Sequence, residues 1–151
     1  MEIQKFIENH RDDINSQSFE NVYDNVLDSL SINNLSKFTE LLYKCGIDPL
    51  EHMTKIPVGF AYGSSLKNIK IPNSITFIGA WAFAYCIALT SMTIPDSVTT
   101  IGPDAFYNCM SLKAINYSGS KKQWELIKKR LNWKNKSLIQ IIHCLDGDIT
   151  L

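Results

Sequence analysis

The sequence predicts an α+β fold, a short β-solenoid of about 2.5 coils that carries a helical cap at its N-terminal end and a helix plus β-hairpin at its C-terminal end. Three observations lead to this prediction. Residues 71–116 contain two copies of a 23-residue pattern, residues 1–55 show amphipathic helical spacing, and residues 117–151 combine a helix-start signal with a hairpin-turn signal. We therefore expect a helical cap over 1–55, repeats over 56–116 and a C-terminal cap over 117–151.

Length and composition are those of one globular domain. The chain has 151 residues, 45% of them hydrophobic and 20% charged, which excludes a disordered chain and leaves no room here for a second full-sized catalytic domain. Fifteen basic residues balance fifteen acidic ones, so the net charge gives no general attraction to nucleic acid or to anionic membranes. The balance hides a gradient, because residues 1–55 carry ten acids against five bases and residues 117–151 carry three against seven.

The chain shows no membrane or secretion signal. No stretch approaches the roughly 18 apolar residues of a membrane span, and Met1–Arg11 lacks the basic-then-apolar pattern of a signal peptide. The sequence therefore predicts a cytoplasmic protein. The four cysteines lack both the CxxC pairs of a zinc site and the density of a disulfide scaffold, so we expect free thiols.

The N-terminal third predicts three helices and a turn. Ile3, Phe6 and Ile7 suggest a weak opening helix, and Ser18 is a plausible N-cap for a second helix with apolar residues at i, i+3, i+4, i+7 and i+8, namely Phe19, Val22, Tyr23, Val26, Leu27 and Leu30. A third helix is predicted from about Leu35 to a stop at Gly46. Asp48 and Pro49 then have the residue types of an N-cap and first residue of one more short turn.

The repeat lies in two segments, Ile71–Thr93 and Ile94–Asn116, which align without a gap. Identical pairs include Ile71/Ile94, Pro72/Pro95, Ser74/Ser97, Ile78/Ile101, Gly79/Gly102, Ala82/Ala105, Phe83/Phe106, Cys86/Cys109 and Leu89/Leu112. One period upstream, Phe60, Leu66 and Ile69 occupy the places of Phe83, Leu89 and Met92. Residues 56–70 therefore read as a degenerate first coil.

A 23-residue period falls within the range of leucine-rich repeats, whose coils each supply a short strand and stack on one continuous core. Phe83 and Phe106 are expected to stack as an aromatic column, and Gly79 is expected at a corner that a side chain would obstruct. The predicted core consists of Phe60, Leu66, Ile78, Phe83, Cys86, Leu89, Ile101, Phe106, Cys109 and Leu112, with Trp124 sealing the C-terminal end.

The C-terminal segment predicts a helix and a hairpin. Ser120 and Gln123 form a capping-box pattern, and the helix would carry Trp124, Ile127 and Leu131 on one face. The basic run Lys128–Arg130 would lie near its C-terminus, where the helix dipole favours cations. Beyond Trp133, apolar runs flank Asp146-Gly147, a two-residue hairpin signal.

The repeat pattern IPxSxTxIGxxAFxxCxxLxxxxIP resembles the BspA-type leucine-rich repeat. YSGSKKQWELIKK, the later Trp133 and IIHCLDGDI are similar to the ending that such proteins often have after their last coil, so the resemblance covers about residues 56–151. It implies a non-catalytic recognition scaffold without a cofactor. Members often occur on secreted or surface proteins, and the missing signal sequence departs from that pattern.

The residues do not predict catalysis, a bound metal or a cofactor. Cys86 and Cys109 would need a nearby base to act as nucleophiles, and no histidine occurs between His52 and His143. His143 and Cys144 would point to opposite faces of a strand, which disfavours a metal site with Asp146 and Asp148. No Gly-rich phosphate loop, GxSxG elbow or HExxH motif is present. An enzyme remains the weakest alternative.

Two surfaces are candidates for binding another protein. The first is the polar strand face, whose outward residues are Lys67, Asn68, Lys70, Thr90, Ser91, Thr93, Lys113, Ala114 and Asn116; the alternative is a merely solvated sheet. The second is an aromatic patch of Tyr62, Trp81 and Tyr85. Trp81 stands where the next coil has Asp104, which indicates an exposed position, and exposed aromatic residues are typical of protein contacts. The alternative is that the N-terminal helices cover them.

Nucleic-acid binding is a second alternative, because basic residues crowd one short segment together with Trp124 and Trp133. These residues are Lys121, Lys122, Lys128, Lys129, Arg130, Lys134 and Lys136. The tryptophans are needed for the cap, however, and the acidic helices can neutralise the charge. The sequence thus favours a protein-interaction module, monomeric or homodimeric, that acts as an adaptor or inhibitor, such as a phage or mobile-element protein acting on a host target.

Overall fold

The computed structural model describes residues 32–151 together with the isolated positions 5, 9 and 12. The helices predicted around residues 3–7 and 19–30 lie outside the described residues. In the described part of the chain, no helix is both long enough and apolar enough to cross a lipid bilayer.

Helix α1 (Ile32–Lys44) closes the N-terminal end of the solenoid. It buries Leu35, Phe38 and Leu42 in the common core, and the Thr39 hydroxyl donates a hydrogen bond of 2.6 Å to the carbonyl oxygen of Phe60 in the first coil. The positive φ of Gly46, 75°, follows the helix end. These features confirm the predicted helix and its glycine stop.

A short 3-10 helix (Pro49–His52) follows, with Asp48 as its N-cap and Pro49 as its first residue, as predicted. The Asp48 carboxylate accepts hydrogen bonds from the Leu50 backbone N–H at 2.9 Å and from the Tyr43 hydroxyl at 3.0 Å. The cap therefore ties this turn back to α1.

The solenoid has eight short strands on two parallel sheets. The strands are β1 (Lys55–Ile56), β2 (Asn68–Lys70), β3 (Phe77–Ile78), β4 (Ser91–Ile94), β5 (Thr100–Ile101), β6 (Ala114–Tyr117), β7 (Lys128–Lys129) and β8 (Ile141–Cys144). The odd-numbered strands form one sheet in the order β1-β3-β5-β7 and the even-numbered strands form the other. A ninth strand, β9 (Gly147–Thr150), adds antiparallel to β8.

Each coil contributes one odd-numbered strand and the even-numbered strand that follows it. The solenoid therefore has four coils, not the 2.5 that the sequence predicts. Strand β7 pairs in parallel with β5, and β8 pairs with β6, so the segment assigned to the C-terminal cap contributes a complete fourth coil. The prediction missed it because the register changes: Thr100 pairs with Lys128, 28 positions on, whereas Phe77 pairs with Thr100, 23 positions on.

Helix α2 (Lys121–Leu126) accounts for the longer spacing, because it is inserted between β6 and β7. The capping box of Ser120 and Gln123 is formed as predicted. The predicted helix beyond residue 126 is wrong: the Lys128 N–H donates to the Thr99 carbonyl of the preceding coil at 2.9 Å, and Leu131 is 82% exposed. Inter-coil hydrogen bonding replaces the helix at this point.

The terminal hairpin is formed, but its two-residue turn is Leu145-Asp146 rather than Asp146-Gly147. Cys144 pairs with Gly147, which begins β9 with a φ of 116°. The Asp146 carboxylate accepts a hydrogen bond of 2.8 Å from the Lys121 N–H. That bond fixes the turn against the first residue of α2.

An aromatic column runs through the core of all four coils. Phe83 and Phe106 stack with ring centroids 5.5 Å apart and an interplanar angle of 11°, which confirms the predicted pair. Phe60 and Trp133 extend the column with edge-on contacts at 6.2 and 5.9 Å. The edge-on contacts fall where coil length changes: β1 and β3 pair 22 positions apart, whereas β3 and β5 pair 23 apart.

Ten of the eleven predicted core residues are buried, and Trp124 packs edge-on against Trp133 at the C-terminal end. Leu66 is the exception, since it is only partly buried at the edge of the core. It lies in the first coil, whose strand β2 has a neighbouring strand on one side only.

Candidate binding surfaces

Each coil places two residues in the left-handed backbone region. They are Gly59 and Gly63 in the first coil, Trp81 and Tyr85 in the second, Asp104 and Asn108 in the third, and Asn132 and Lys136 in the fourth. Glycine, asparagine and aspartate tolerate this conformation, whereas larger side chains are disfavoured there. The second coil is unusual because both of its left-handed positions carry large aromatic residues.

These two side chains belong to a four-ring assembly, the aromatic cluster, formed by Tyr62, Trp81, Tyr85 and Tyr107. Tyr62 lies 6.4 Å from Trp81 and 5.3 Å from Tyr85, and Tyr107 lies 5.4 Å from Trp81 and 5.3 Å from Tyr85, measured between ring centroids. The structure thus brings the three predicted patch residues together and adds a fourth. Tyr85 is exposed, and the other three rings are partly buried.

Tyr107 was missed because alignment of the repeats compares equivalent positions, and its equivalent in the second coil is Ala84. The ring reaches the cluster diagonally, between Trp81 and Tyr85 of the neighbouring coil. The signal available in the sequence was the set of four tyrosine and tryptophan side chains within adjacent coils. The pKa of the Tyr85 hydroxyl is raised, mainly by desolvation and to a smaller extent by the neighbouring Tyr107.

A cation borders the aromatic cluster. The Lys136 Nζ lies over the Tyr107 ring, 5.4 Å from its centroid, and the hydrogen bond with Tyr107 is the main cause of a raised pKa for this ammonium group. Lys136 itself occupies a left-handed position, with φ of 55°. The cluster therefore combines an apolar platform with a positive charge at one side.

The predicted strand face lies on the larger sheet. Parallel pairing aligns Lys70 with Thr93 and Thr93 with Asn116. The exposed residues are Lys67, Asn68, Lys70, Thr90, Ser91, Lys113 and Asn116, and Thr93 is half-buried with Ala114. Their side chains present amides, hydroxyls and three ammonium groups to solvent.

The fourth coil extends this face beyond the prediction. His143 pairs with Asn116 in the sheet, and its Nδ1 lies 2.8 Å from an Asp148 carboxylate oxygen on β9. Within residues 32–151 this is the one contact of 4.0 Å or less between a basic and an acidic side chain, and it is an ion pair only when the histidine is protonated. Lys67, Lys70 and Lys113 therefore have no carboxylate partner in the described part of the chain.

Part of the basic C-terminal segment makes internal contacts, whereas Lys122, Lys128 and Arg130 are exposed. Lys129 Nζ lies 4.6 Å from the Trp124 ring centroid and donates to the Trp124 and Ile127 carbonyl oxygens. Lys134 Nζ donates to the Ile139 carbonyl at 3.2 Å. Because Trp124 and Trp133 are 2% and 9% exposed, neither offers a free ring face for base stacking.

The two repeat thiols are buried and free. Cys86 donates to the Ala61 carbonyl and Cys109 to the Phe83 carbonyl, at 3.0 and 3.1 Å. Burial raises the pKa of Cys86 to about 11 and that of Cys109 to about 12, which suits packed thiols rather than nucleophiles. Among the residues that the structure describes, no three or more His, Cys, Asp or Glu side chains group as metal ligands.

The sequence pattern of the BspA-type leucine-rich repeat region (six copies) matches residues 54–141, more than half of the chain. The chain belongs to the BspA-type leucine-rich repeat family. Leucine-rich repeat folds are typically non-catalytic and generally bind other proteins, so the family supports a protein-interaction module.

One solved structure similar to this chain is that of a leucine-rich cell surface protein from Faecalibacterium prausnitzii A2-165. The two are 44% identical over 51% of this chain, with a TM-score of 0.46. The match covers 21% of the other chain, so the matched half of this chain corresponds to about a fifth of that one. No curated protein sequence matches this chain.

Proposed function

We propose that this chain binds a partner protein through the aromatic cluster of Tyr62, Trp81, Tyr85 and Tyr107, and that it acts without chemistry of its own as an adaptor or inhibitor. The observation that carries the proposal is the left-handed backbone at Trp81 and Tyr85, with φ angles of 57° and 59°. Holding an L-residue in this region costs of the order of 1–2 kcal/mol. Residues kept in such conformations concentrate at functional sites.

Aspartate and asparagine at the equivalent positions of the third coil show that the fold does not need aromatic residues there. An adjoining set of tyrosine and tryptophan rings is the composition typical of binding hot spots. These observations favour a role in recognition for the aromatic residues.

The strand face is the second candidate surface, favoured by its three lysines without carboxylate partners in the described part of the chain. Such a surface suits an acidic partner through electrostatic complementarity. The four free cysteines are consistent with action in a reducing cytoplasm. Monomer and homodimer both fit this proposal, since the partner can be a second copy of the chain.

Affinity capture tests the proposal with variants that the chain itself suggests. Trp81→Asp/Tyr85→Asn installs the residue types of the third coil at both left-handed positions, and Lys67→Glu/Lys70→Glu/Lys113→Glu reverses the strand face. Proteins captured by each folded variant are compared with those captured by wild type, using quantitative mass spectrometry. We expect a partner that wild type and the lysine variant retain and that the aromatic variant loses.

The control for self-association is sedimentation of wild type and the aromatic variant, since a homodimer would be lost in the variant alone. A partner lost only by the lysine variant moves the binding site to the strand face. If the folded aromatic variant captures every protein that wild type captures, with the same recovery, the aromatic cluster is not the binding site.

A further inference from the structure

Three exposed apolar side chains form a row along the solenoid, one in each of the last three coils. Ile87, Met110 and Leu138 are 61%, 45% and 39% exposed. They follow equivalent left-handed residues, Tyr85, Asn108 and Lys136, by two positions each. We call these three the apolar row.

Hydrogen bonds between successive coils keep the row in register. The Tyr85 backbone N–H donates to the Tyr107 carbonyl oxygen at 2.7 Å, and the Asn108 backbone N–H donates to the Asn135 carbonyl oxygen at 3.1 Å. The Ser111 hydroxyl also donates to the Ile87 carbonyl. The row therefore runs parallel to the stacking direction, with one side chain per coil, beside the aromatic cluster.

The spacing of the row fits a helix better than an extended peptide. The three residues lie outside the strands, but hydrogen bonds join their coils there, as in the Leu138 N–H to Cys109 carbonyl bond. At the spacing of hydrogen-bonded strands, about 4.8 Å, the row spans about 9.6 Å. A helix that presents residues i, i+3 or i+4, and i+7 spans about 10.5 Å between its outer contacts. A strand that presents i, i+2 and i+4 spans about 13.3 Å, which overshoots the row.

The charge beside the row favours an acidic partner. Lys134 and Lys136 precede Leu138 by four and two positions in the fourth coil, and contacts with the Ile139 carbonyl oxygen and the Tyr107 ring position their ammonium groups. Neither ammonium group has a carboxylate within 4.0 Å among the described residues. A carboxylate on the partner would supply the missing counter-ion.

We infer that the apolar row is a docking site for an amphipathic α-helix of the partner protein, one that places three apolar side chains on the row and carboxylates toward Lys134 and Lys136. The inference rests on the proposed function and specifies the partner's chemistry. Helix docking on an exposed apolar surface is an established recognition mode, in which the anchors fall at i, i+3 or i+4, and i+7.

A displayed library of random linear peptides, about 16 residues long so that a helix can form, tests this inference without knowledge of the partner. Peptides are selected on folded wild type, and their affinities are then measured by fluorescence anisotropy against Met110→Glu. Leu131→Glu is the matched control. Leu131 is also an exposed apolar side chain, 82% accessible, but it lies outside the row.

The selected peptides are expected to be acidic, with apolar residues at helical spacing. Met110→Glu should weaken their binding about tenfold or more, since it removes an apolar contact worth about 1.4 kcal/mol, and Leu131→Glu should leave it unchanged. Lys136→Glu should weaken acidic peptides and spare variants in which lysine replaces their carboxylates.

Three results would overturn the inference: no enrichment of any peptide, enrichment of basic or strand-patterned peptides, or equal binding to wild type and Met110→Glu. Peptides that lose affinity for Trp81→Asp/Tyr85→Asn but not for Met110→Glu would overturn the apolar row and leave the aromatic cluster as the binding site. The two proposals can therefore fail separately.

Discussion

At the scale of single residues, Trp81 and Tyr85 experience two opposing effects. Each is held in a left-handed conformation, and each makes two ring contacts in the aromatic cluster. Relief of the backbone strain stabilises a Trp81→Asp/Tyr85→Asn variant, whereas loss of ring contacts worth about 0.5–1.5 kcal/mol each destabilises it. We expect the free energy of unfolding to stay within about 2 kcal/mol of wild type, measured by urea denaturation.

The comparison for that variant is Trp81→Ala/Tyr85→Ala, which loses the same rings and keeps a residue type disfavoured at positive φ. It should be less stable than the Asp/Asn variant. Equal stability of the two variants would mean that the left-handed positions store no strain.

The aromatic column gives the largest residue-scale effect on stability. Phe83 and Phe106 are fully buried and stack on each other. Phe83→Ala and Phe106→Ala should each lower the free energy of unfolding by about 3–5 kcal/mol, as truncations that leave a cavity. A melting temperature equal to that of wild type for either variant would show that the column does not hold the core together.

The buried thiols predict a dependence of stability on pH. Burial raises the pKa of Cys86 to about 11 and of Cys109 to about 12, from an ordinary value of 9.0. Above pH 9 the unfolded chain therefore loses these protons before the folded protein does. The stabilising contribution of the two protonated thiols is fully present below pH 9 and is lost as pH rises toward the folded pKa values. Each thiol should contribute a slope of about −1.4 kcal/mol per pH unit in this window.

Chemical denaturation between pH 8 and 11 measures that slope, and Cys86→Ala/Cys109→Ala is the control for lysine and tyrosine titration. The double variant should show a shallower decline than wild type. Parallel curves for the two proteins would mean that the thiols titrate alike in the folded and unfolded chains.

At the scale of structural elements, two glycines set the distance between coils. A Cβ on Gly79 would lie 2.7 Å from the Ile56 carbonyl oxygen, and one on Gly102 would lie 2.7 Å from the Ala80 backbone nitrogen. Both obstacles are backbone atoms of the preceding coil and cannot rotate away. Gly79→Ala and Gly102→Ala should each destabilise the protein by about 1–3 kcal/mol in thermal or urea unfolding.

Gly63→Asn is the control for these substitutions, since a Cβ there meets no atom within 4 Å and asparagine tolerates its φ of 65°. It should change stability much less than Gly79→Ala. If Gly79→Ala proves as stable as this control, close approach of the coils is not what requires glycine at the corner.

The elements that the sequence predicts well are those with local signals. Identical residues that recur every 23 positions predict the inner coils. The apolar spacing from Leu35 to Gly46 predicts α1, and Ser120 with Gln123 predicts the start of α2. These signals lie within a few residues of the structure they specify. The aromatic patch follows from the same repeat, although Trp81 and its equivalent Asp104 are partly buried rather than exposed as the comparison predicts.

The remaining features depend on contacts between distant residues. The fourth coil forms because Lys128 and Arg130 donate backbone hydrogen bonds to Thr99 and Ile101, and backbone pairing leaves little trace in side-chain identity. The hairpin turn shifts by one residue because Asp146 bonds to Lys121 of α2. Tyr107 joins the aromatic cluster diagonally across coils, where a comparison of equivalent positions does not look.

At the scale of the whole molecule, the described chain is a stack of four coils whose open ends are covered by different elements. Helix α1 covers the first coil, and Trp124 together with the hairpin closes the fourth. This closure is what a stacked repeat requires, because each coil otherwise exposes an apolar cross-section. Within residues 32–151, the aromatic cluster and the strand face lie on the lateral surfaces of this stack, between the two covered ends.

The most direct test of the central claim is calorimetric titration of the isolated partner with wild type and with Trp81→Asp/Tyr85→Asn, each shown to be folded by its unfolding transition. Loss of two hot-spot aromatic residues worth about 2 kcal/mol or more each should weaken binding by roughly a thousandfold, while the variant stays folded. An unchanged dissociation constant for the folded variant would contradict the claim that this chain recognises its partner through the aromatic cluster.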